Sequence, residues 1–368
     1  MTVINFVLIL LVSYPWPMRN AQGNFDGPLG VSATLGDGRG SAVSPRFHRG
    51  IDIPAGPGTD VFSLASGRTI SWPHPNYEIE GYVRVGNYHY DHLTNRVRHD
   101  VEVTGILEDP INPDRIGDVA EDHLHFQIGP SGGPYENPLS HDGGPDNYSD
   151  DGMPIVYSLD LWQSGSEAET ARELDNDEVW GKVDIRASCQ DRQTSGGVNT
   201  TSGIYRLEWL VRDIEEGTAF GPFPTTIFPQ VQPPNNGAPV LLVYDRHNYR
   251  TASPFYYWVT NPIINNQVEN RYWNTKLRQG EEWNGNDARI NSEAQYPDGE
   301  YRVWVMAYDI IGNGGDTLNR RGAEDEDIIL DNFKPYVDRV VIYQGGRVIK
   351  YHAFWSEPVS DTRLGSLV

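Results

Sequence analysis

The sequence predicts a mostly β protein. Short runs in which apolar and polar residues alternate, or in which β-branched residues follow one another, recur along the chain, and Gly, Pro, Asn or Asp follows each run closely. Few long stretches show the periodicity of a helix. With 368 residues, the chain is long enough for two or three domains at roughly 100 to 200 residues each.

The N-terminus carries an apolar run, INFVLILLVS, at residues 4–13. This run is too short to span a bilayer as a helix, and it stands where the hydrophobic segment of a signal peptide would stand. We therefore expect residues 1–22 to be a signal peptide cleaved near Ala21, and the protein to be secreted or held in the cell envelope. Residues 1–8 contain no Lys or Arg, so a misplaced start or a buried N-terminal strand is the alternative.

The first domain is predicted to cover residues 23–150. Its end is placed where the composition changes, and a linker is expected at 151–177. Within that linker GSEAETARELD, residues 165–175, is either a short helix with Ser166 as N-cap or a solvated segment. The strands predicted for the first domain are VFSLAS (61–66), RTISW (68–72), YVRVGNY (82–88), VRHDVEV (97–103) and HLHFQI (123–128).

The second domain is predicted at residues 178–332 as a β-sandwich. Its runs are longer than those of the first domain and rich in Trp and Tyr, which either fill a sandwich core or stack on glycan rings. Residues 333–368 are too few for another sandwich, so they are expected to be an incomplete β module or a tail. The predicted strands are EVWGKVDIRAS (178–188), GIYRLEWLVRD (203–213), APVLLVYD (238–245) and GEYRVWVMAYD (299–309).

Charge and cysteine content exclude several classes of partner and site. The chain has 51 acidic and 29 basic residues, and its net charge of −22 opposes binding to nucleic acid or anionic lipid. Most of these charges are expected to lie on a solvated surface. Cys189 is the only cysteine, so neither an intrachain disulfide nor a cysteine zinc site can form, and we expect it to fill a core position.

Histidine is concentrated in the first domain. Eight of the ten histidines lie between His48 and His141, and two compact clusters stand out: FHRGIDI at 47–53 and DHLHFQI at 122–128. In a strand, alternate side chains share a face, so His123 and His125 should project together while Leu124 and Phe126 enter a core.

The earlier cluster gives a similar pattern if it is a strand. His48, Gly50 and Asp52 would then share a face opposite the apolar Ile51 and Ile53, and Gly50 would leave room for an ion between its neighbours. Side by side, the two strands would offer imidazole nitrogens and a carboxylate, which is a ligand set that suits zinc. Three protein ligands leave a fourth position for water. The HExxH motif of helical zinc sites is absent from the sequence.

These residues carry a resemblance to a known family. HRGIDIPAGPGTDVFSLASGRT (48–69) resembles the HxxxD segment and following strands of the lysostaphin-type zinc endopeptidases of peptidoglycan, and HLHFQI resembles their HxH segment. GYVRVGNYHYDHL (81–93) is similar to the strand and YxHL segment of that family, and FDGPLGVSATLGDGR (25–39) is similar to its lead-in strand. The resemblance covers about residues 24–140.

The resemblance implies a fold, a reaction and a site. The first domain would be an antiparallel β-sheet peptidase domain of the duplicated hybrid motif type, and the chain would hydrolyse peptide bonds in peptidoglycan stems or cross-bridges. His48, Asp52 and His125 would be the ligands of Zn²⁺. His92 and His123 would be the catalytic pair that moves protons and stabilises the oxyanion. The alternative is a non-catalytic binding or scaffold protein of the cell envelope that keeps the peptidase fold.

Two positions depart from the family pattern. Gln127 stands where Glu is common, and Asp122 directly precedes the first histidine of the HxH segment. Asp122 could orient the imidazole of His123, but strand alternation points neighbouring side chains apart, which favours a solvent-facing or turn residue. The remaining histidines of this region, His74, His89, His99 and His141, are interpreted as turn, loop or surface residues.

The second half carries a separate resemblance. YPDGEYRVWVMAYDIIGNG (296–314) resembles the last hairpin of bacterial immunoglobulin-like modules, and DIILDNFKPYVDRVVIY (327–343) resembles the junction between two such modules. This resemblance implies an immunoglobulin-like β-sandwich after the peptidase domain, with possible glycan or cell-surface contact through it.

Overall fold

The computed structural model describes residues 13–74, 77–164, 172–176, 178–282, 285–310, 321–333, 337–345 and 348–355. Within these ranges the chain is mostly β, as predicted, and the ladders between its strands are antiparallel. None of the helices in the described ranges is long and apolar enough to cross a membrane.

The first half forms a short hairpin and a large sheet. The strands of this half are β1 Gly38–Ser41, β2 Ser44–Phe47, β3 Ile51–Pro54, β4 Asp60–Phe62, β5 Gly67–His74, β6 Tyr77–Val85, β7 Tyr88–Thr94, β8 Glu102–Val103, β9 Arg115–Val119, β10 His123–Ile128 and β11 Tyr135–Glu136. In the large sheet β10 is hydrogen-bonded to β7, and β10 also pairs with β3.

Of the five strands predicted for this half, RTISW and HLHFQI are found in full. Only Val61 and Phe62 of VFSLAS lie in a strand, and YVRVGNY is divided between β6 and β7 by a turn at 86–87. The segment 123–128 is a strand over its full length, whereas only Glu102–Val103 of VRHDVEV forms a strand. The loop before β8 forms hydrogen bonds with β5. Thr69 N donates to Val101 O at 2.9 Å, and the Arg68 guanidinium donates to the Asp100 carboxylate. These contacts leave the loop irregular although its sequence alternates.

Alternation places an apolar face under the histidine clusters. Ile51, Ile53, Leu124 and Phe126 are all fully buried in one core, as the sequence predicts. Burying a side chain of this size contributes roughly 1.5–3 kcal/mol, so the core holds β3 and β10 together firmly. The polar residues between them are thereby turned to the opposite face of the sheet.

The N-terminal segment is part of the same core. Tyr14, Trp16 and Met18 are buried, Tyr14 Oη donates to Pro138 O at 2.6 Å, and Trp16 Nε1 donates to Asp146 O at 2.8 Å. Cleavage near Ala21 would remove all three side chains from the core. This packing disagrees with a signal peptide that extends to residue 22. Residues 1–12, which hold most of the apolar run, lie outside the described residues.

The second half contains two antiparallel sheets around a common apolar core. The strands are β12 Ile155–Gln163, β13 Lys182–Gln193, β14 Thr200–Ser202, β15 Arg206–Asp213, β16 Ala219–Ile227, β17 Gln230–Val231, β18 Phe255–Trp258, β19 Ile263–Ile264, β20 Gln267–Val268, β21 Trp273–Asn274, β22 Gly299–Tyr308, β23 Arg321–Leu330, β24 Val337–Gly345 and β25 Val348–Trp355. One sheet contains β12, β13, β14, β18 and β21, and the other has the order β16-β15-β22-β23.

Large aromatic side chains fill the core of this half. Trp209 and Trp273 are almost fully buried, and their rings lie 6.0 Å apart between centroids. These two side chains fill the core, which is one of the two roles considered for the aromatic residues of this half. Cys189 is buried on β13, as predicted, and burial raises the pKa of its thiol.

The prediction of a strand at residues 238–245 is wrong. Ala238–Val243 form a short helix, α1, with Pro239 in its first turn. Pro at the start of a helix loses no hydrogen bond, and its fixed φ suits the first turn. Val240 and Val243 face the core from one side of α1. The sequence could not show this, because a short run made only of apolar residues has neither the period of a helix nor that of a strand.

The stretch predicted as a linker contains β12. This strand pairs with β13 from Ile155 to Gln163, so it belongs to the second half. Residues 165–171 of the expected helix lie outside the described residues, and Arg172–Asp175 are not helical. In the described part of the tail, β24 and β25 pair with each other as a hairpin.

The two halves are joined closely around the loop that precedes β1. In the second half, β17 pairs with β11 of the first sheet. Tyr244 Oη donates to Gly36 O at 2.7 Å, and Gly203 N donates to Asp37 Oδ1 at 2.9 Å. Leu35 and Phe47 pack into the core of the second half. The second half therefore fixes the backbone on either side of β1 and β2.

Candidate functional site

Two neighbouring strands and one corner bring a carboxylate and two imidazoles together. Asp52 on β3 lies directly opposite His125 on β10 in the ladder. Asp52 Oδ1 is 3.0 Å from His48 Nε2 and 2.9 Å from His125 Nδ1, and the two nitrogens are 2.9 Å apart. All three residues are buried. The predicted ligand residues His48, Asp52 and His125 thus meet at one point.

His48 reaches this point from a corner and not from a continuous strand. β2 ends at Phe47 and β3 begins at Ile51, so the expectation of one strand through 47–53 is wrong. Gly50 has a different role from the one expected: a Cβ there would lie 2.1 Å from Phe126 O. The glycine allows the corner to approach β10 closely, and it does not make room for an ion.

Surrounding groups orient each of the three side chains. His48 Nδ1 donates to Thr34 O at 2.9 Å, and Arg39 Nη2 donates to Asp52 Oδ2 at 3.2 Å. His125 Nε2 lies 3.3 Å from Gln127 Oε1, so the residue that replaces the usual Glu contacts this imidazole. With these partners in place, Asp52 Oδ1, His48 Nε2 and His125 Nδ1 are left to face one another.

Burial and charge set the protonation of the group. Burial lowers the pKa of His48 to about 4, so its ring is neutral at pH 7. Because Nδ1 uses its hydrogen on Thr34 O, His48 Nε2 presents a lone pair to the centre. Burial would raise the pKa of Asp52, but His48 and His125 outweigh it and hold that pKa well below its usual range. Burial also opposes charge on His125, yet Asp52 raises its pKa.

This donor set fits a divalent cation. Lone pairs of a carboxylate and an imidazole converge in a buried position, which is favourable only if a proton or a metal ion lies between them. Zinc ligands at about 2.0–2.1 Å in tetrahedral geometry stand roughly 3.3 Å apart, so the three atoms would need to separate by about 0.4 Å. Two imidazoles and one carboxylate are ligands that zinc accepts, and they leave one position open.

A β-bulge turns His92 toward the same face. Val83 pairs with Tyr90 and Gly81 with Leu93, so Asp91 and His92 together stand opposite a single residue of β6. His92 has a φ of 63°, in the left-handed region that non-glycine residues seldom adopt. Bulges of this kind redirect side chains beside functional sites. The His92 ring lies 4.7 Å from His123 and 6.2 Å from His125 between centroids.

His123 stands at the mouth of the group. Its Nε2 is 3.8 Å from Asp52 Oδ1, on the face shared with His125, as alternation predicts. Its Nδ1 lies 2.6 Å from Asp122 Oδ1. Asp122 is exposed, as expected, but it does not point away from His123. Strand alternation does not apply to it, because β10 begins at His123. The hydrogen bond from His123 lowers the pKa of the Asp122 carboxyl.

Other histidines have structural partners. His89 on β7 is buried, and its Nε2 donates to Gly129 O at 2.8 Å. His141 Nδ1 lies 2.6 Å from Glu136 Oε2, and the His99 ring lies 5.0 Å from Trp72. None of the three lines the cavity beside Asp52.

The sequence analysis missed three arginines at the site. A cavity of about 490 Å³ lies over the group formed by His48, Asp52 and His125, and Arg39, Arg46 and Arg49 line it together with His92 and His123. The available signal was the close spacing of three arginines around His48 in a chain with few basic residues.

A second group of acidic side chains was also missed. Oxygen atoms of Asp150, Asp191 and Asp309 lie within 4.8 Å of one another in a buried position where the two halves meet. Burial, followed by the charges of Asp150 and Asp309, raises the pKa of Asp191 well above its usual range. These residues are far apart in sequence, so no local motif indicates them.

Comparisons of the chain with family models, with curated proteins and with solved structures gave no match. The chemistry of the site therefore rests on its own geometry.

Proposed function

We propose that the chain is an exported, zinc-dependent endopeptidase that hydrolyses peptide bonds in peptidoglycan stems or cross-bridges. The observation that carries this proposal is the meeting of His48, Asp52 and His125 within 2.9–3.0 Å, beside the two further histidines of the same resemblance. In this proposal the first sheet is a peptidase domain of the lysostaphin type, and the two sheets that follow form an immunoglobulin-like sandwich.

The chain's own residues supply ligands and proton carriers. His48, Asp52 and His125 would hold the metal, which when bound lowers the pKa of a water molecule to about 7 and polarises the scissile carbonyl. His123 Nδ1 is engaged by Asp122, so Nε2 is the atom available to take a proton and return it to the leaving amine. His92, whose ring centroid lies 4.7 Å from that of His123, would donate a hydrogen bond to the oxyanion.

Asp122 has a positioning role in this scheme. Replacing it with alanine removes the acceptor that holds the His123 ring, and we expect kcat/KM to fall about 10-fold or more, as for other partners of site histidines. The melting temperature should not change, because the Asp122 side chain is 87% exposed. Glu121→Ala, in the exposed neighbouring residue, is the matched control. Equal kcat/KM values for the two variants would show that Asp122 is a surface residue that does not position His123.

Metal analysis and a digest test the proposal directly. Purified protein should contain about one zinc per chain and release amine groups from peptidoglycan. Chelation should remove both the metal and the activity, and added Zn²⁺ should restore them. A Gly-rich protein substrate should be incubated in parallel, and the digest of defined muropeptides analysed by mass would identify the bond. Protein that binds no zinc and cleaves neither substrate would instead be a scaffold that retains the fold.

A further inference from the structure

Positive charge is concentrated at the site of a strongly acidic chain. The net charge is −22, yet three guanidinium groups line the cavity, against two carboxylates, Asp52 and Asp91. One of those carboxylates belongs to the proposed metal ligands. A bound divalent cation would add to the positive excess, so the cavity differs in sign from the chain as a whole.

Arg39 is already engaged by the site. Its Nη2 donates to Asp52 Oδ2 at 3.2 Å, its Nη1 lies 3.9 Å from Asp37 Oδ2, and it also donates to Thr251 O at 3.3 Å. These contacts orient the ligand carboxylate and neutralise the Arg39 charge. The positive excess therefore lies on the other two arginines.

Neither Arg46 nor Arg49 forms an ion pair with a carboxylate among the described residues. Arg46 is exposed on β2, opposite Arg39 in the hairpin and two residues before His48. Arg49 is held by neutral groups: Nη2 donates to Asn235 Oδ1 at 2.9 Å, and the guanidinium lies 5.4 Å from the centre of the Tyr135 ring. Its Nε is buried with no hydrogen-bond partner in the described structure.

These arginines lie close to each other. Arg46 lies directly opposite Arg39 in the hairpin, and both line the same cavity as Arg49, so like charges are gathered at one place. Like charges repel, so such a group is stabilised when an anion binds between them. A guanidinium offers paired N–H donors that match the two oxygens of a carboxylate.

We propose that Arg46 and Arg49 form a subsite for a free carboxylate of the peptide substrate, on a residue near the cleaved bond. This inference rests on the proposed peptidase activity and adds the substrate class, an acidic peptide. Carboxylate and scissile bond would be bound in one cavity of about 490 Å³. The net charge of the chain opposes long polyanions, whereas a single carboxylate inside the cavity meets mainly the nearest guanidinium groups.

The test compares two forms of the same substrate. Soluble peptidoglycan stem peptides are used with free carboxylates and after conversion of those carboxylates to carboxamides. For the zinc-loaded protein, we expect kcat/KM to be about 10-fold or more lower on the amidated peptides. Arg46→Gln should cause a similar loss on the free peptides and little further loss on the amidated ones, because the two changes remove the same contact.

Arg46 is the residue to change because it is exposed, whereas Arg49 also packs on Tyr135. Arg98→Gln, at an exposed arginine that does not line the cavity, is the matched control and should leave both rates unchanged. Binding of each peptide form to chelator-treated protein, measured by calorimetry, gives a readout that needs no turnover. There the free peptides should bind about 10-fold tighter, and Arg46→Gln should abolish the difference.

The outcomes separate this inference from the proposed function. Equal cleavage of both peptide forms, unaffected by Arg46→Gln, would overturn the subsite and leave the peptidase intact. Cleavage of neither form would count against the peptidase, and the binding measurement would then decide the subsite alone. Equal binding of both forms would overturn it.

Discussion

Replacing His125 with alanine is expected to abolish both zinc binding and hydrolysis of peptidoglycan. His125 Nδ1 lies 2.9 Å from both Asp52 Oδ1 and His48 Nε2, so in the proposed zinc site its loss would leave two ligands where zinc sites use three or four. Loss of a residue that only orients a ligand costs about 10–100-fold in metal affinity or activity, and we expect loss of a ligand to exceed this range. Zinc content per chain and amine release from peptidoglycan measure the two effects.

The matched control for His125→Ala is His89→Gln. His89 is also a buried histidine and lies on the adjacent strand β7, but its Nε2 donates to Gly129 O and it does not line the cavity. Glutamine keeps a hydrogen-bond donor, so zinc content and activity should be close to those of the unchanged protein. If His89→Gln lost zinc while His125→Ala retained it, our assignment of the ligands would be wrong.

Trp16→Ala is expected to destabilise the protein by about 3–5 kcal/mol, because it empties a fully buried position in the core of the first half. Deletion of residues before Gly23 removes Tyr14 and Met18 as well. Since whole domains are stable by only about 5–15 kcal/mol, the shortened protein should show no cooperative unfolding transition. Thermal unfolding followed by circular dichroism measures both changes.

Gln22→Ala, at an exposed position in the same segment, should leave the melting temperature unchanged. A shortened protein that unfolds at the same temperature as the full chain would show that Tyr14, Trp16 and Met18 are dispensable. Cleavage near Ala21 would then be compatible with the fold. The expected result instead places any cleavage before residue 14, which an N-terminal mass of the mature protein can check.

Local sequence patterns predicted the parts of the site that depend on neighbours along the chain. Ile51 and Ile53 alternate with Asp52, and Leu124 and Phe126 alternate with the histidines of β10. Once the apolar residues are buried, the polar residues between them must lie on the opposite face of the sheet. The same reasoning failed where apolar residues run together without a period. Residues 238–243 could be read as strand or helix, and packing of Val240 and Val243 against the core decided for the helix.

The role of Asp122 shows a further limit of alternation. The rule that neighbouring side chains diverge holds inside a strand, and Asp122 lies one residue before β10 begins. Element boundaries are the least certain part of any reading of sequence, because they depend on which backbone groups find partners. The contact between Asp122 and His123 could therefore be weighed in advance but not settled.

By itself, the sequence determined the β class of the protein, the buried faces of β3 and β10, and the sharing of one face by His123 and His125. Tertiary structure alone decided that Asp52 stands opposite His125, that a bulge turns His92 toward them, and that Arg39, Arg46 and Arg49 gather above. The physical reason is one of range. Alternation is set by adjacent residues, whereas register, bulges and clusters of charge depend on which distant strands pair, and that is decided by the packing of the whole chain.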